Sequence, residues 1–163
     1  MEIERKFTIK ELPANLENQT CLIIEQAYLN TDPVIRIRRQ NDEYYLTYKG
    51  KGLLAREEYN LPLNKEAYGH LRTKADGNII SKKRYLFPID TPEFKEGYLP
   101  PADMPALTIE LDVFEAPFAP LVIAEVEFPD EEAANSFIAP SWFAEDVTFN
   151  KEYHNSNLSL KKF

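Results

Sequence analysis

Cysteine, histidine and glycine are scarce in this chain, and each scarcity removes a class of chemistry. The single cysteine, Cys21, can form no internal disulfide and no multi-cysteine zinc site, which suits a reducing compartment. The two histidines, His70 and His154, stand alone in the sequence and read as solvated or structural. Five glycines leave little backbone for cradling phosphate, and no G-x-x-x-x-G-K-[ST] loop is present, so this is not a P-loop enzyme. No apolar run approaches the roughly 18 residues of a membrane span, and the opening MEIERKFTIKEL lacks the apolar core of a secretion signal. Positive charge is in deficit too: 19 Lys and Arg against 27 Asp and Glu give a net charge of −8. That field repels phosphate, so neither nucleic acid nor an anionic membrane is an expected partner. A soluble, cytoplasmic protein is expected.

What is present is enough to fold. Of 163 residues, 44% are hydrophobic and 28% charged, close to the globular average, and no repeat or linker splits the chain, so a single domain over 1–163 is expected. The dominant pattern is alternation with the strand period of two. It marks strands near residues 2–9, 22–29, 34–39, 43–49, 56–61, 80–87, 107–113 and 121–128. Helices are expected at Asn64–Thr73, with Asn64 as N-cap, and at Asp130–Ile138, capped by Asp130; Ser141–Ala144 reads as a single turn. The proline-dense stretch from Pro88 to Pro105 reads as a long surface loop. About eight strands and two short helices predict a mainly β fold, an antiparallel sheet curled into a closed eight-stranded barrel.

The polar faces carry charged doublets at i, i+2: Glu2/Glu4, Arg36/Arg38, Arg56/Glu58, Lys82/Arg84, Glu110/Asp112 and Glu125/Glu127. Such side chains point the same way, about 7 Å apart along the strand. They are either solvated faces of a half-buried sheet or the lining of a wet lumen. Like charges repeated on one strand repel unless an opposite charge sits between them, which favours a ligand. The candidate lining holds seven acids, Glu2, Glu4, Glu58, Glu110, Asp112, Glu125 and Glu127. Against them stand the bases Lys6, Arg36, Arg38, Lys49, Arg56, Lys82 and Arg84, with Lys151 as a further candidate. A nearly neutral lumen holds a polyanion poorly by itself. Clustered carboxylates bind hard divalent cations, and Mg²⁺ typically combines one or two carboxylates with phosphate oxygens, so metal and polyphosphate should bind together.

The opening Glu2-Ile3-Glu4-Arg5-Lys6 resembles the E-x-E-x-K signature of the CYTH superfamily, the triphosphate tunnel metalloenzymes. The likeness extends over nearly the whole chain: Arg36-Ile-Arg38, Leu46-Thr-Tyr-Lys49-Gly50, Arg56-Glu-Glu58, Ile80-Ser-Lys82-Lys-Arg84-Tyr85, Glu110-Leu-Asp112-Val-Phe114 and Ala124-Glu125-Val-Glu127. The tail, Trp142 to Thr148 and Tyr153 to Leu158, resembles the small bacterial branch. Asn60, Asn150 and Glu152 depart from that branch's usual residues. The resemblance implies an eight-stranded antiparallel tunnel in which lysines and arginines hold a triphosphate and glutamates hold one or two divalent ions, Mg²⁺ or Mn²⁺. It implies hydrolysis of tripolyphosphate, and of nucleoside triphosphates as a further option, by in-line attack of water. Glu4, Lys6, Lys49 and Glu125 are then the candidate catalytic residues, and Arg36, Arg38, Lys49, Arg56, Lys82, Arg84, Lys151 and Lys6 the phosphate ligands. The metal candidates are Glu2, Glu4, Glu58, Glu110, Asp112, Glu125 and Glu127. An adenylyl cyclase of the class IV type, a thiamine triphosphatase, or a non-catalytic polyphosphate or nucleotide binder are the alternatives, and a homodimer is possible within the same family.

Overall fold

The period-two runs become strands in a computed structural model that describes residues 1–163. In chain order the strands are β1 Glu2–Ile9, β2 Thr20–Thr31, β3 Val34–Gln40, β4 Glu43–Lys49, β5 Ala55–Arg56, β6 Glu58–Leu63, β7 Asp76–Ile89, β8 Glu93–Phe94, β9 Leu107–Phe114, β10 Val122–Glu127, β11 Phe137–Ile138 and β12 Phe143–Asp146. The helices are α1 Lys65–Arg72, α2 Glu131–Ser136 and α3 Asn155–Leu160.

The main sheet runs β12-β1-β10-β9-β7-β2-β3-β4-β6, antiparallel at each paired step, and β5 returns to pair with β1. Because β5 and β6 are one broken strand, the sheet wraps round on itself. The first half of β1 takes β5 (Glu2 opposite Arg56), and its second half takes β12 (Phe7 opposite Asp146). The result is the expected eight-stranded antiparallel barrel, nearly closed, with β12 as an added flap.

The charged faces point inward. Arg36, Arg38, Lys82, Arg84, Asp112, Glu125 and Lys6 are all buried, whereas the out-of-phase Arg39 and Lys83 are exposed. The apolar faces point outward and are covered. Ile3, Phe7, Ile109, Leu111 and Val126 pack beneath α2 and its flanking chain, while Ala27 and Ile37 lie under Tyr68 of α1.

A third apolar cluster sits inside the barrel. Tyr28, Val34, Ile80, Phe114 and Ile123 fall in register with Arg36, Lys49, Gln26, Lys82 and Asp112, so they share the lumen face. They pack with Phe118 and with Leu158 of α3, filling one end of the barrel. Gly77, at φ +71°, lets α3 lie this close to β7, since a Cβ there would collide with the carbonyl oxygen of Ser159. The charged lumen is therefore a cup closed by apolar packing at one end.

Three local expectations need correction. The helix expected to reach Ile138 stops at Ser136, where Phe137 turns extended and its ring packs against Phe94 and Phe128. Phe137–Ile138 then pairs with Glu93–Phe94, so a short ladder interrupts the stretch expected to be plain loop. The turn expected at Ser141–Ala144 leads instead into β12, which caps the free edge of β1. Arg5, in phase with the outward apolar residues, bonds the carbonyls of Ala134 and Phe137 and the carboxylate of Asp146. It thereby ties α2 and β12 to the barrel. Asn64 and Asp130 cap α1 and α2 as expected, accepting from the amides of Ala67 and Ala133.

Candidate functional site

Fifteen side chains line a cavity of about 220 Å³ in the charged half of the lumen. They include Glu2, Glu4 and Lys6 from β1, Arg36 and Arg38 from β3, Lys49 from β4, and Glu58 and Asn60 from β6. Arg84, Glu110, Glu125 and Glu127 complete the charged ring from β7, β9 and β10, with Asn155 reaching in from the start of α3. Strand alternation accounts for the convergence of the strand residues, each the inward member of its pair, and α3 adds Asn155.

Most of the charges hold one another. Lys6 Nζ lies 3.0 Å from Glu4 and 2.9 Å from Glu125. Lys49 Nζ lies 2.7 Å from Glu2 and 3.3 Å from Glu58. Arg84 donates from Nε and Nη2 to the two oxygens of Asp112 at 2.7 and 2.9 Å, and from Nη1 to Glu110 at 2.6 Å. Lys82 Nζ is 2.7 Å from Asp112 and donates to Asn155 Oδ1 at 3.2 Å.

Two groups are left over, and they lie on different strands. Arg36 and Arg38 are buried guanidinium groups without a carboxylate partner. Arg36 donates only to Thr47 Oγ1, at 3.4 Å, and its Nε is buried with no acceptor. Arg38 donates to Gln26 Oε1 and to no acid. Burial, then the neighbouring Arg36 and Arg84, press the Arg38 pKa below the usual arginine range, the mark of a locally positive environment.

On β1, β9 and β10 the surplus is negative. Burial, followed by the nearby Glu125 carboxylate, pushes Glu4 up to about 7, with Lys6 only partly opposing. Burial also raises Glu110 and Glu127; for Glu127 the next causes are Glu4 and Glu110, and it makes no ion pair. Glu125 is held well below its ordinary value against burial by Lys6, Arg84 and Lys82. Glu58 is likewise held down to about 2 against burial, by Glu2, Lys49 and Asn60.

The donor set fits a hard divalent cation. No three acids or histidines are drawn together as a ready-made ligand group. Glu4, Glu110 and Glu127 nevertheless line one cavity with the unpaired guanidinium groups of Arg36 and Arg38, Glu4 and Glu110 sharing their cations with other acids and Glu127 having none. A cation held by one or two carboxylates and completed by substrate oxygens is the arrangement Mg²⁺ favours.

Not every candidate reaches the cavity. Asp112 is fully buried behind it, with both oxygens taken by Arg84 and one also by Lys82. Lys82 is equally enclosed. Arg56 turns to the carbonyl of Gly50, and Lys151 stays exposed beside a separate surface pocket. His154 donates from Nε2 to the carbonyl of Thr148, a structural bond, and Trp142 stacks edge-on against Phe143 at 4.7 Å. Of the three departures, only Asn60 lines the cavity, where it accepts from Thr47 and donates to Glu58. Asn150 caps a turn and Glu152 is exposed. Gln26, Thr47 and Asn155 are uncharged and so belong to no charged doublet; strand register sets Gln26 of β2 opposite Arg38 of β3.

A buried pair of arginines thus faces clustered carboxylates inside an antiparallel barrel. The chain belongs to the CYTH domain family, whose model matches residues 1–163. It is 36% identical over 162 residues to an inorganic triphosphatase of Nitrosomonas europaea, covering 98% of this chain and 97% of that one. An inorganic triphosphatase of Acetivibrio thermocellus is 35% identical, covering 96% and 92%. A crystal structure of an inorganic triphosphatase superposes with a TM-score of 0.66 at 34% identity, covering 99% of this chain and 96% of that one. A putative adenylate cyclase from Bacillus halodurans, at 16% identity and a TM-score of 0.51, shares the fold.

Proposed function

We propose that this chain hydrolyses inorganic tripolyphosphate with the help of a divalent cation, Mg²⁺ or Mn²⁺. The observation that carries the reading is the pair Arg36 and Arg38, buried in the lumen without an acid partner, while across the cavity Glu4 and Glu125 share the single cation Lys6 and Glu127 makes no ion pair. The relatives named inorganic triphosphatase support it over the full length of the chain. Cavity size supports the substrate class. About 220 Å³ lies below the roughly 300–1,000 Å³ of pockets that take drug-sized organic ligands, so the lumen suits phosphoryl units without a nucleoside.

The chain's own groups then have definite tasks. Arg36 and Arg38 grip non-bridging oxygens, for which the guanidinium fork is suited, and Lys49 adds a point charge. Lys6, between Glu4 and Glu125, orients both carboxylates and lends positive charge to the reacting phosphoryl group. Glu4, Glu125, Glu110 and Glu127 hold the cation, with Glu2 and Glu58 in reserve beside Lys49. The cation, when bound, supplies neutralisation of charge on the phosphoryl and leaving oxygens. A water oxygen bonds to a terminal phosphorus, the bridging P–O bond breaks, and orthophosphate and pyrophosphate leave.

The product profile tests this. Orthophosphate release from tripolyphosphate, dependent on Mg²⁺ or Mn²⁺ and well above release from ATP or thiamine triphosphate, is expected. Cyclic AMP and pyrophosphate from ATP, or tight tripolyphosphate binding without turnover, would replace the reading with a cyclase or a binding module.

A further inference from the structure

The lumen holds two of its arginines in the same two-point grip, but with different chemistry. Arg84 presents Nε and Nη2 to the carboxylate of Asp112. Arg38 presents the same two nitrogens to a single neutral oxygen, Gln26 Oε1, at 2.8 and 2.6 Å. Gln26 is fully buried on the inward face of β2, opposite Arg38 in register. Its own Nε2 is buried with no acceptor. An orphaned buried donor is unfavourable, and an apolar side chain would avoid it. The oxygen is thus the part of this residue that the site uses.

We propose that Gln26 is a positioning residue that aims the Arg38 guanidinium at the substrate phosphate while sparing its charge. This deepens the proposed phosphate site and rests on that reading. A carboxylate at this position would hold the fork equally well but would neutralise it, as Asp112 does for Arg84. An amide fixes Nε and Nη2 and leaves Nη1 and the full positive charge for an anion. The arrangement requires no acid near Arg38, and none forms an ion pair with it; the charges that bear on it most are Arg36 and Arg84. Gln26 touches no reacting atom, so its effect passes through binding.

The test compares full-length wild type, Gln26→Glu and Gln26→Met. It measures the Kd for tripolyphosphate by calorimetry, and KM and kcat for Mg²⁺-supported orthophosphate release. Gln26→Glu should raise Kd and KM at least about tenfold, because the carboxylate cancels the Arg38 charge and its hydrogen bond to phosphate loses that assistance, with the change falling mainly on KM. Gln26→Met, which removes the grip but not the charge, should raise both by roughly threefold to fivefold. A role in packing alone would instead lower Tm and leave Kd unchanged, with Met the milder variant. Wild-type affinity in Gln26→Glu overturns the inference; if that variant does not fold, wild-type affinity in Gln26→Met does. A wild-type chain that binds no tripolyphosphate removes the proposed function itself, a result distinct from failure at Gln26.

Discussion

Glu4→Gln should reduce Mg²⁺-supported turnover by about 1,000-fold or more, since transition-state charge stabilisation of several kcal/mol is lost with the carboxylate. The same variant should fold more stably than wild type when a chelator is present. Glu4 is pushed from its ordinary 4.5 up to about 7, first by burial and then by Glu125. The folded chain therefore holds this proton more tightly than the unfolded chain, and stability falls as pH rises between those values. Above about 7 the full penalty stands, on the order of 3 kcal/mol, and Gln removes it. Denaturant titrations in chelator should show Glu4→Gln stabilised at pH 8 and little changed near pH 4. Retained wild-type turnover would remove Glu4 from the site, and equal stabilisation at both pH values would remove the explanation by ionisation. Turnover in the wild-type chain at limiting Mg²⁺ should rise with pH through about 7, as Glu4 loses its proton.

Arg84→Met acts in the opposite direction on stability. Arg84 alone bonds three carboxylates, Asp112, Glu110 and Glu125. Methionine replaces its bulk and leaves those acids short of a cation in a buried setting. Breaking a buried pair from one side costs about 3–5 kcal/mol, which for a chain of this length lowers Tm by roughly 10 °C. Adding Glu110→Gln should recover part of the loss, since Glu110 pairs with Arg84 alone and the amide removes its stranded charge. A single variant as stable as wild type would mean that these ion pairs do not hold the lumen walls in place.

The charged lumen was legible because strands repeat every two residues. Each doublet, from Glu2/Glu4 to Glu125/Glu127, placed its members on one side, and closing the sheet brought the sides together. The same phase also contained the closed end. Ile80 precedes Lys82 and Arg84, Phe114 follows Glu110 and Asp112, and Ile123 precedes Glu125 and Glu127, all in step with the charges. Reading an alternating face as wholly polar or wholly apolar concealed that change partway along each strand. Asp112 shows another limit: alternation gives a direction but not a depth, and its short side chain stays behind Arg84 instead of reaching the cavity. β8 and β11 are two residues long and β12 is four, too short for a period to register. Gln26 was hidden by being uncharged, in a strand whose pattern shifts at the irregularity between Tyr28 and Asn30.

One titration reaches the centre of this account, that anion and cation meet across a single lumen. A tripolyphosphate analogue with nitrogen in place of the bridging oxygens, which resists hydrolysis, should be titrated into the chain by calorimetry, once in chelator and once in saturating Mg²⁺ or Mn²⁺. The account predicts weak binding without the cation and much tighter binding with it, matched by an equal gain in cation affinity when the analogue is present. Equal affinity in the two titrations, or none in either, would contradict it.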